Sequence, residues 1–353
     1  MDEGTRPRPL AHSGAIGGAE SVRPVAPSSM GDGVPSPAAS HIPVGIWVRL
    51  IRPSALLLAL VPALTALLLL WLRGWSIQAL PALSGLVSLL LVQAGASLLD
   101  VYLEYVRRKH LPESSRNDRL TARAILARSQ IRPLNVMRLG ILLLIVGALA
   151  GIPLFVTGGW PVVTLGIVGL AIAFFFSATS FALKRFLVAD FIIGLALGPG
   201  IITGMMLAQG QMPTSRDMLF AGMLGLLAML PALGVQLRDA HEDALLARRT
   251  LVLSLGEGVV RAIYLLCLLG ALALLALAAL PKGAPHGALL AFFALPAFVV
   301  PVSGALLSAP GFGREQVVAQ ELRAYAFFAF WLLLGLAINA ILLRGLGPID
   351  AVF

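Results

Sequence analysis

Two pairs of acidic residues stand beside long apolar runs, where carboxylates are rare and each one is informative. The first pair is Asp100 and Glu104, in SLLDVYLEYVRRKH. The second is Asp239 and Asp243, in LRDAHEDALLARRTL, with Glu242 adjacent. In each pair the two carboxylates are four residues apart, so on a helix they share one face and repel. A divalent cation removes that repulsion. Mg²⁺ suits such a site because it takes carboxylate oxygens, keeps several waters and is usually completed by substrate phosphates. Arg107, Arg123, Lys184, Arg185, Arg238, Arg248 and Arg249 fall on the same side of the chain's apolar runs. Acids and bases together describe a pocket for a magnesium-bound diphosphate under an apolar roof. The matching ligand is an amphiphile with a diphosphate head and a hydrocarbon tail. The plainer alternative is that both pairs are solvated helix ends neutralised by neighbouring arginines.

The elements that must carry these residues are membrane helices. The chain is 58% hydrophobic and only 12% charged, with a further 36 glycines. A soluble domain carries about 25% charge, and folding alone cannot hide this much apolar surface. Composition therefore excludes a soluble globular enzyme, a disordered chain and a disulfide scaffold. The fold class is all-α and polytopic. A crossing needs about 20 apolar residues, and nine runs qualify, at about 53–72, 77–103, 136–156, 160–182, 187–208, 218–237, 259–281, 286–309 and 325–343. The period-two alternation of a membrane barrel is absent. Residues 1–42 are rich in Pro, Gly, Ser and Ala and read as a disordered cytoplasmic tail ahead of a membrane domain over 43–353.

Charge sets the orientation. Basic residues crowd the connections after spans two, four, six and eight and are sparse in the others, which puts the even connections and the N-terminus in the cytoplasm and the C-terminus outside. The formal net charge of +9 thus reads as orientation toward anionic lipid, with no nucleic-acid partner. The segment TARAILARSQIRPLNV is expected to form a basic surface helix. Cys267, alone in LLCLLGALALL, reads as a packing residue. In GLALGPGIITG, glycines at 194, 198, 200 and 204 read first as a close helix contact and second as a kink that makes room for a ligand tail.

These residues resemble the UbiA-type intramembrane aromatic prenyltransferases, and look most like the 1,4-dihydroxy-2-naphthoate polyprenyltransferase branch. That branch shows a segment close to N-N-L-R-D-I-E-E-D-x-x-x-G-K-R-T-L-A, and residues 235–252 read VQLRDAHEDALLARRTLV. Asp239, Asp243, Arg238, Arg249, Thr250 and Leu251 match it. LKRFLVADFIIGLALGPGIITG is similar to the family's fifth helix, with Asp190 at its usual acidic position, and IRPSALLLALVPAL to its first. The first motif departs from N-x-x-N-D-x-x-D: Ser97, Asp100, Val101 and Glu104 occupy the aligned positions.

The resemblance implies a bundle of about nine helices and an enzyme that is Mg²⁺-dependent. Its reaction would transfer a polyprenyl group from a polyprenyl diphosphate to an aromatic acceptor in quinone (menaquinone-type) biosynthesis. It also implies Asp100, Glu104, Asp239 and Asp243 as metal ligands and Arg107, Arg123, Lys184, Arg185, Arg238 and Arg249 as diphosphate ligands. Two alternatives remain: a prenyltransferase with another acceptor, or a transporter or lipid-binding protein on the same scaffold without catalysis.

Overall fold

The computed structural model describes residues 44–108, 126, 131–177, 188–245, 250–307 and 317–345. Every regular element among them is helical. In hydrocarbon no water satisfies backbone N–H and C=O groups, so an apolar run must close its hydrogen bonds on itself. Nine helices in the described residues are long and apolar enough to cross a membrane: Pro53–Leu72, Ala79–Val106, Pro133–Ala150, Leu154–Phe175, Ala189–Ala208, Ser215–His241, Glu257–Ala279, His286–Leu307 and Val317–Leu343. They are spans one to nine, and they match the nine runs read from the sequence.

The differences lie at the ends and have local causes. The break between spans three and four falls at the Gly151–Pro153 turn rather than at 157–159. Gly159, at φ 58° and ψ −156°, then leaves helical geometry and kinks span four, where the break had been expected. Span nine begins at Val317, which brings Glu321 and Arg323 into the helix. Span eight opens as a 3₁₀ segment over His286–Ala294. A short helix, Val44–Ile51, precedes span one and was not expected. Most of the segment expected as a basic surface helix, like the residue 1–42 tail, lies outside the described residues.

Span six is the axis of the bundle. In its most apolar stretch 67% of residues are buried, against 6% in span four. Phe220, Leu224, Leu227, Leu230, Leu233 and Leu237 run down it at helical spacing and pack with Tyr264, Leu268 and Leu275 of span seven and Phe328, Leu332 and Leu336 of span nine. Cys267 sits in this core as a packing residue. Spans three and four instead present Ile141, Leu142, Ile145, Val156 and Ile167 outward, as a lipid-facing wall does.

A second, smaller cluster joins Leu50 of the short helix to Leu98 and Val101 of span two, Leu126, Ile131, and Val136 of span three. It braces the end of span two that carries the first acid pair.

The glycine-rich stretch of span five makes the close contact that was its first reading. A Cβ on Gly198 would lie 2.2 Å from the Ala221 carbonyl oxygen and 2.6 Å from the Gly225 nitrogen of span six. The helix also widens to a π-turn over Ala196–Gly200, around Pro199. Because the contact is backbone against backbone, neither partner can yield. Gly198→Ala should therefore separate spans five and six and lower stability by about 1–3 kcal/mol. Gly204→Ala, where nothing lies within 4 Å, should leave it unchanged or slightly raised. Thermal unfolding of the two variants in detergent compares them directly.

Candidate functional site

Both acid pairs lie on unbroken helix. Span two continues helical to Arg108 and span six to Leu245, so each i,i+4 pair does share one face.

On span two, a single residue separates polar from apolar. Val101, which stands where the resembled family has its central aspartate, is 3% exposed in the small apolar cluster. Asp100 is turned about 100° from it and meets a cation: Arg52 Nη1 donates to Asp100 Oδ2 at 3.1 Å. Arg52 lies between the short helix and span one, and its backbone is left-handed, at φ 59° and ψ 73°. It is the only non-glycine residue with positive φ among the described residues. The following Pro53 disfavours the right-handed helical conformation at that position. A non-glycine residue held there stores roughly 1–3 kcal/mol of strain, which persists only where the surroundings require it.

On span six, Arg238 donates to its neighbour through two bonds, Nε to Asp239 Oδ1 at 2.7 Å and Nη2 to Oδ2 at 3.2 Å. Asp243 is buried, at 3% exposure. Gln236 belongs to the same face, three residues before Asp239 and seven before Asp243. Its Nε2 donates to Asp190 Oδ2 at the start of span five, and its Oε1 accepts the Leu251 N–H at 2.9 Å. Thr250 caps the helix Leu251–Leu255, its hydroxyl accepting from Leu253 N at 3.4 Å. Thus the side of span six that carries the acids is tied to two other segments.

Of the expected site residues, the structure joins Asp100 to Arg52 and Asp239 to Arg238. Glu104 is half-buried, one turn beyond Asp100. Arg107 lies on the same helix, but its side chain, like Arg123, Lys184, Arg185 and Arg249, falls outside the described residues. No group of three or more His, Cys, Asp or Glu side chains among the described residues is placed to hold a metal ion. His241, between the two acids, is exposed.

Three residues matter that the sequence did not single out. Arg52 was visible only as a basic residue at a helix start. Gln236 is a polar side chain in an apolar run, which is signal enough in a membrane segment. Glu321 was hidden because span nine was expected to begin at 325. It is 2% exposed, and its carboxylate packs on Gly234, where an added Cβ would lie 2.5 Å from Oε2. Glycine at 234 leaves the space that this carboxylate fills, one turn from Arg238.

Comparison with known proteins follows from this geometry. No curated protein sequence matches the chain. Among solved structures, a UbiA homolog from Archaeoglobus fulgidus bound to DMAPP and Mg²⁺ is similar, at 14% identity and a TM-score of 0.58, over 83% of this chain and 99% of that one. The same homolog bound to GPP and Mg²⁺ gives 15% identity and a TM-score of 0.58 over the same shares. A digeranylgeranylglyceryl phosphate synthase gives 14% and 0.50, over 84% of this chain and 98% of that one. At such identities the likeness shows the fold. The family rests on sequence: the model of the UbiA prenyltransferase family matches residues 59–331, and the chain belongs to that family.

Proposed function

We propose that this membrane prenyltransferase transfers a polyprenyl group from its diphosphate to an aromatic acceptor of the 1,4-dihydroxy-2-naphthoate type, in quinone biosynthesis. The observation that carries the reading is the pair of oxygen-only acid sites on spans two and six, each holding an arginine against one carboxylate. Further support comes from the family and from similar structures bound to DMAPP or GPP with Mg²⁺.

The residues fit a hard divalent cation. Two carboxylates four apart supply oxygen donors on one face, and a guanidinium at each site already neutralises part of their charge. Asp100 and Glu104 would hold one ion and Asp239 and Asp243 a second. When bound, Mg²⁺ supplies charge neutralisation to the departing pyrophosphate. The protein's own part is to hold and orient. Arg107, Arg123, Lys184, Arg185, Arg238 and Arg249 would receive the diphosphate oxygens, and the apolar walls of the bundle would take the prenyl tail. The C–O bond to the diphosphate breaks and its electron pair leaves with pyrophosphate. An electron-rich ring carbon then bonds to the allylic carbon, and the ring loses a proton. Most of the acceleration comes from positioning and fixed charge. The positive-inside distribution supports a cytoplasmic site and a cytoplasmic N-terminus.

One observation favours a non-catalytic reading: with Val101 buried, the first site has lost a carboxylate position and its Asp100 is bridged to Arg52. The assay that separates the readings is release of pyrophosphate from a polyprenyl diphosphate with Mg²⁺ and 1,4-dihydroxy-2-naphthoate, with homogentisate and 4-hydroxybenzoate run beside it. A prenylated product supports transfer; none with any acceptor favours the non-catalytic scaffold.

Two predictions follow from the sites. Asp239→Ala and Asp243→Ala should each cut prenyl transfer by more than ~100-fold while the protein remains membrane-inserted. Wild-type turnover in either variant would remove the second site from the mechanism. Asp100→Ala and Glu104→Ala should raise the half-saturating Mg²⁺ concentration by at least ~10-fold. An unchanged Mg²⁺ titration in both would reduce the first pair to a solvated helix end.

A further inference from the structure

Gln236 is a half-buried polar side chain on span six, three residues before Asp239, and both ends of its amide are engaged. Its N–H₂ donates to the carboxylate of Asp190, itself 3% exposed. Its carbonyl accepts the N–H of Leu251 at 2.9 Å. A side-chain amide has one donor end and one acceptor end, so the arrangement admits only one orientation. The partners come from different segments: Asp190 from the first turn of span five, Leu251 from the first turn of the helix Leu251–Leu255. Gln236, Asp239 and Asp243 follow one another at i, i+3 and i+7 on one face of span six.

The bonds are part-buried, and the Asp190 end is 3% exposed, which gives them leverage. A buried donor or acceptor left without its partner costs about 1–3 kcal/mol, so the three segments hold one register rather than several. Thr250 fixes the second segment again by capping its helix. Loss of a group that orients metal-binding side chains from behind typically costs about 10–100-fold in cation affinity, and Gln236 would act on the acids through the segments that it ties to their helix face.

We propose that Gln236 is a positioning residue of the second acid site. Its amide locks the start of span five and the entry to the Leu251–Leu255 helix against the face of span six that carries Asp239 and Asp243. That lock sets the affinity of this face for Mg²⁺ and a diphosphate. The inference rests on the reading of Asp239 and Asp243 as cation ligands.

Donor and acceptor logic supplies the test. Gln236→Glu puts a second carboxylate against Asp190 and destroys the first bond. Adding Asp190→Asn restores the pattern: the new amide donates to the new carboxylate, whose other oxygen still accepts Leu251 N–H. Net buried charge in the double variant equals that of the wild type. The readout is Mg²⁺-dependent binding of inorganic pyrophosphate to the purified full chain in detergent, with the melting midpoint measured beside it.

Gln236→Glu should raise the half-saturating Mg²⁺ concentration by ~10–100-fold, and the double variant should return it close to the wild-type value. Gln236→Met, similar in length but unable to make either bond, should behave like Gln236→Glu and serves if that variant does not insert. A lowered melting midpoint with unchanged Mg²⁺ affinity in Gln236→Glu or Gln236→Met would overturn the proposal, since it would leave Gln236 purely structural. A double variant no better than Gln236→Glu would do the same. If the wild type binds no Mg²⁺-pyrophosphate, the reading of the acid site itself fails and the inference with it. Loss confined to the variants separates that case from the first.

Discussion

A charge at the edge of hydrocarbon must have a partner. Transfer of an isolated ion out of water costs several kcal/mol or more even after relaxation, and a bilayer edge supplies little water to offset it. The placement of charge in this protein follows from that cost. Arg52 meets Asp100, Arg238 meets Asp239, and on the far side of the bundle Arg73 meets Asp217 at 3.0 Å, with Asp217 also accepting from Thr214. The far-side pair is an ordinary structural staple: Asp217 takes the Thr214 backbone N–H at the head of span six and fixes where that helix starts. The near-side pairs differ in kind. Each carries a second carboxylate on the same helix face, at Glu104 and at Asp243, and carboxylates paired in this way are the oxygen donors that a hard cation takes.

Positioning the second acid pair falls to span six. Its backbone touches span five through Gly198 and Gly225, and its Gly234 accepts the Glu321 carboxylate of span nine, so its depth and rotation are fixed by neighbours that cannot slide. The acids at its end inherit that rigidity because the helix runs on without a break to Leu245. Helix–helix contact between small residues is how membrane bundles gain packing without a hydrophobic driving force. Here the same contact fixes where span six ends.

The sequence made the nine spans legible because hydropathy reports a one-dimensional property, and the bilayer enforces it strictly. It also made both acid pairs legible, since i,i+4 spacing survives wherever the segment is helical. Other features depended on meetings between distant residues. Nothing near Arg52 announces Asp100, 48 residues away. Nothing near Gln236 announces Asp190 or Leu251. The interruption expected at 157–159 is present as a kink at Gly159, but the turn at Gly151–Pro153 that separates spans three and four was not read, because a glycine and a proline sit within an apolar run without breaking its hydropathy. Glu321 was lost for the opposite reason: a carboxylate reads as a loop residue until a glycine on another helix gives it room.

The two acid sites are not equivalent, and burial explains the asymmetry. At the second site the helix keeps its carboxylate pair, with Gln236 below it and an arginine beside it, and Asp243 is almost fully enclosed. At the first, the packing of Leu50 and Val136 against span two makes the position of Val101 apolar. A carboxylate there would face that cluster without a partner, so the acidic face could persist only one residue earlier, at Asp100. That shift rotates the ligand by about 100°, toward the start of span one, where Arg52 stands in a strained backbone to meet it. The apolar brace under span two, the displaced aspartate and the left-handed arginine are thus three consequences of one packing choice. They leave the first pair bridged to an arginine 48 residues away, whereas the arginine of the second pair is the next residue in the chain.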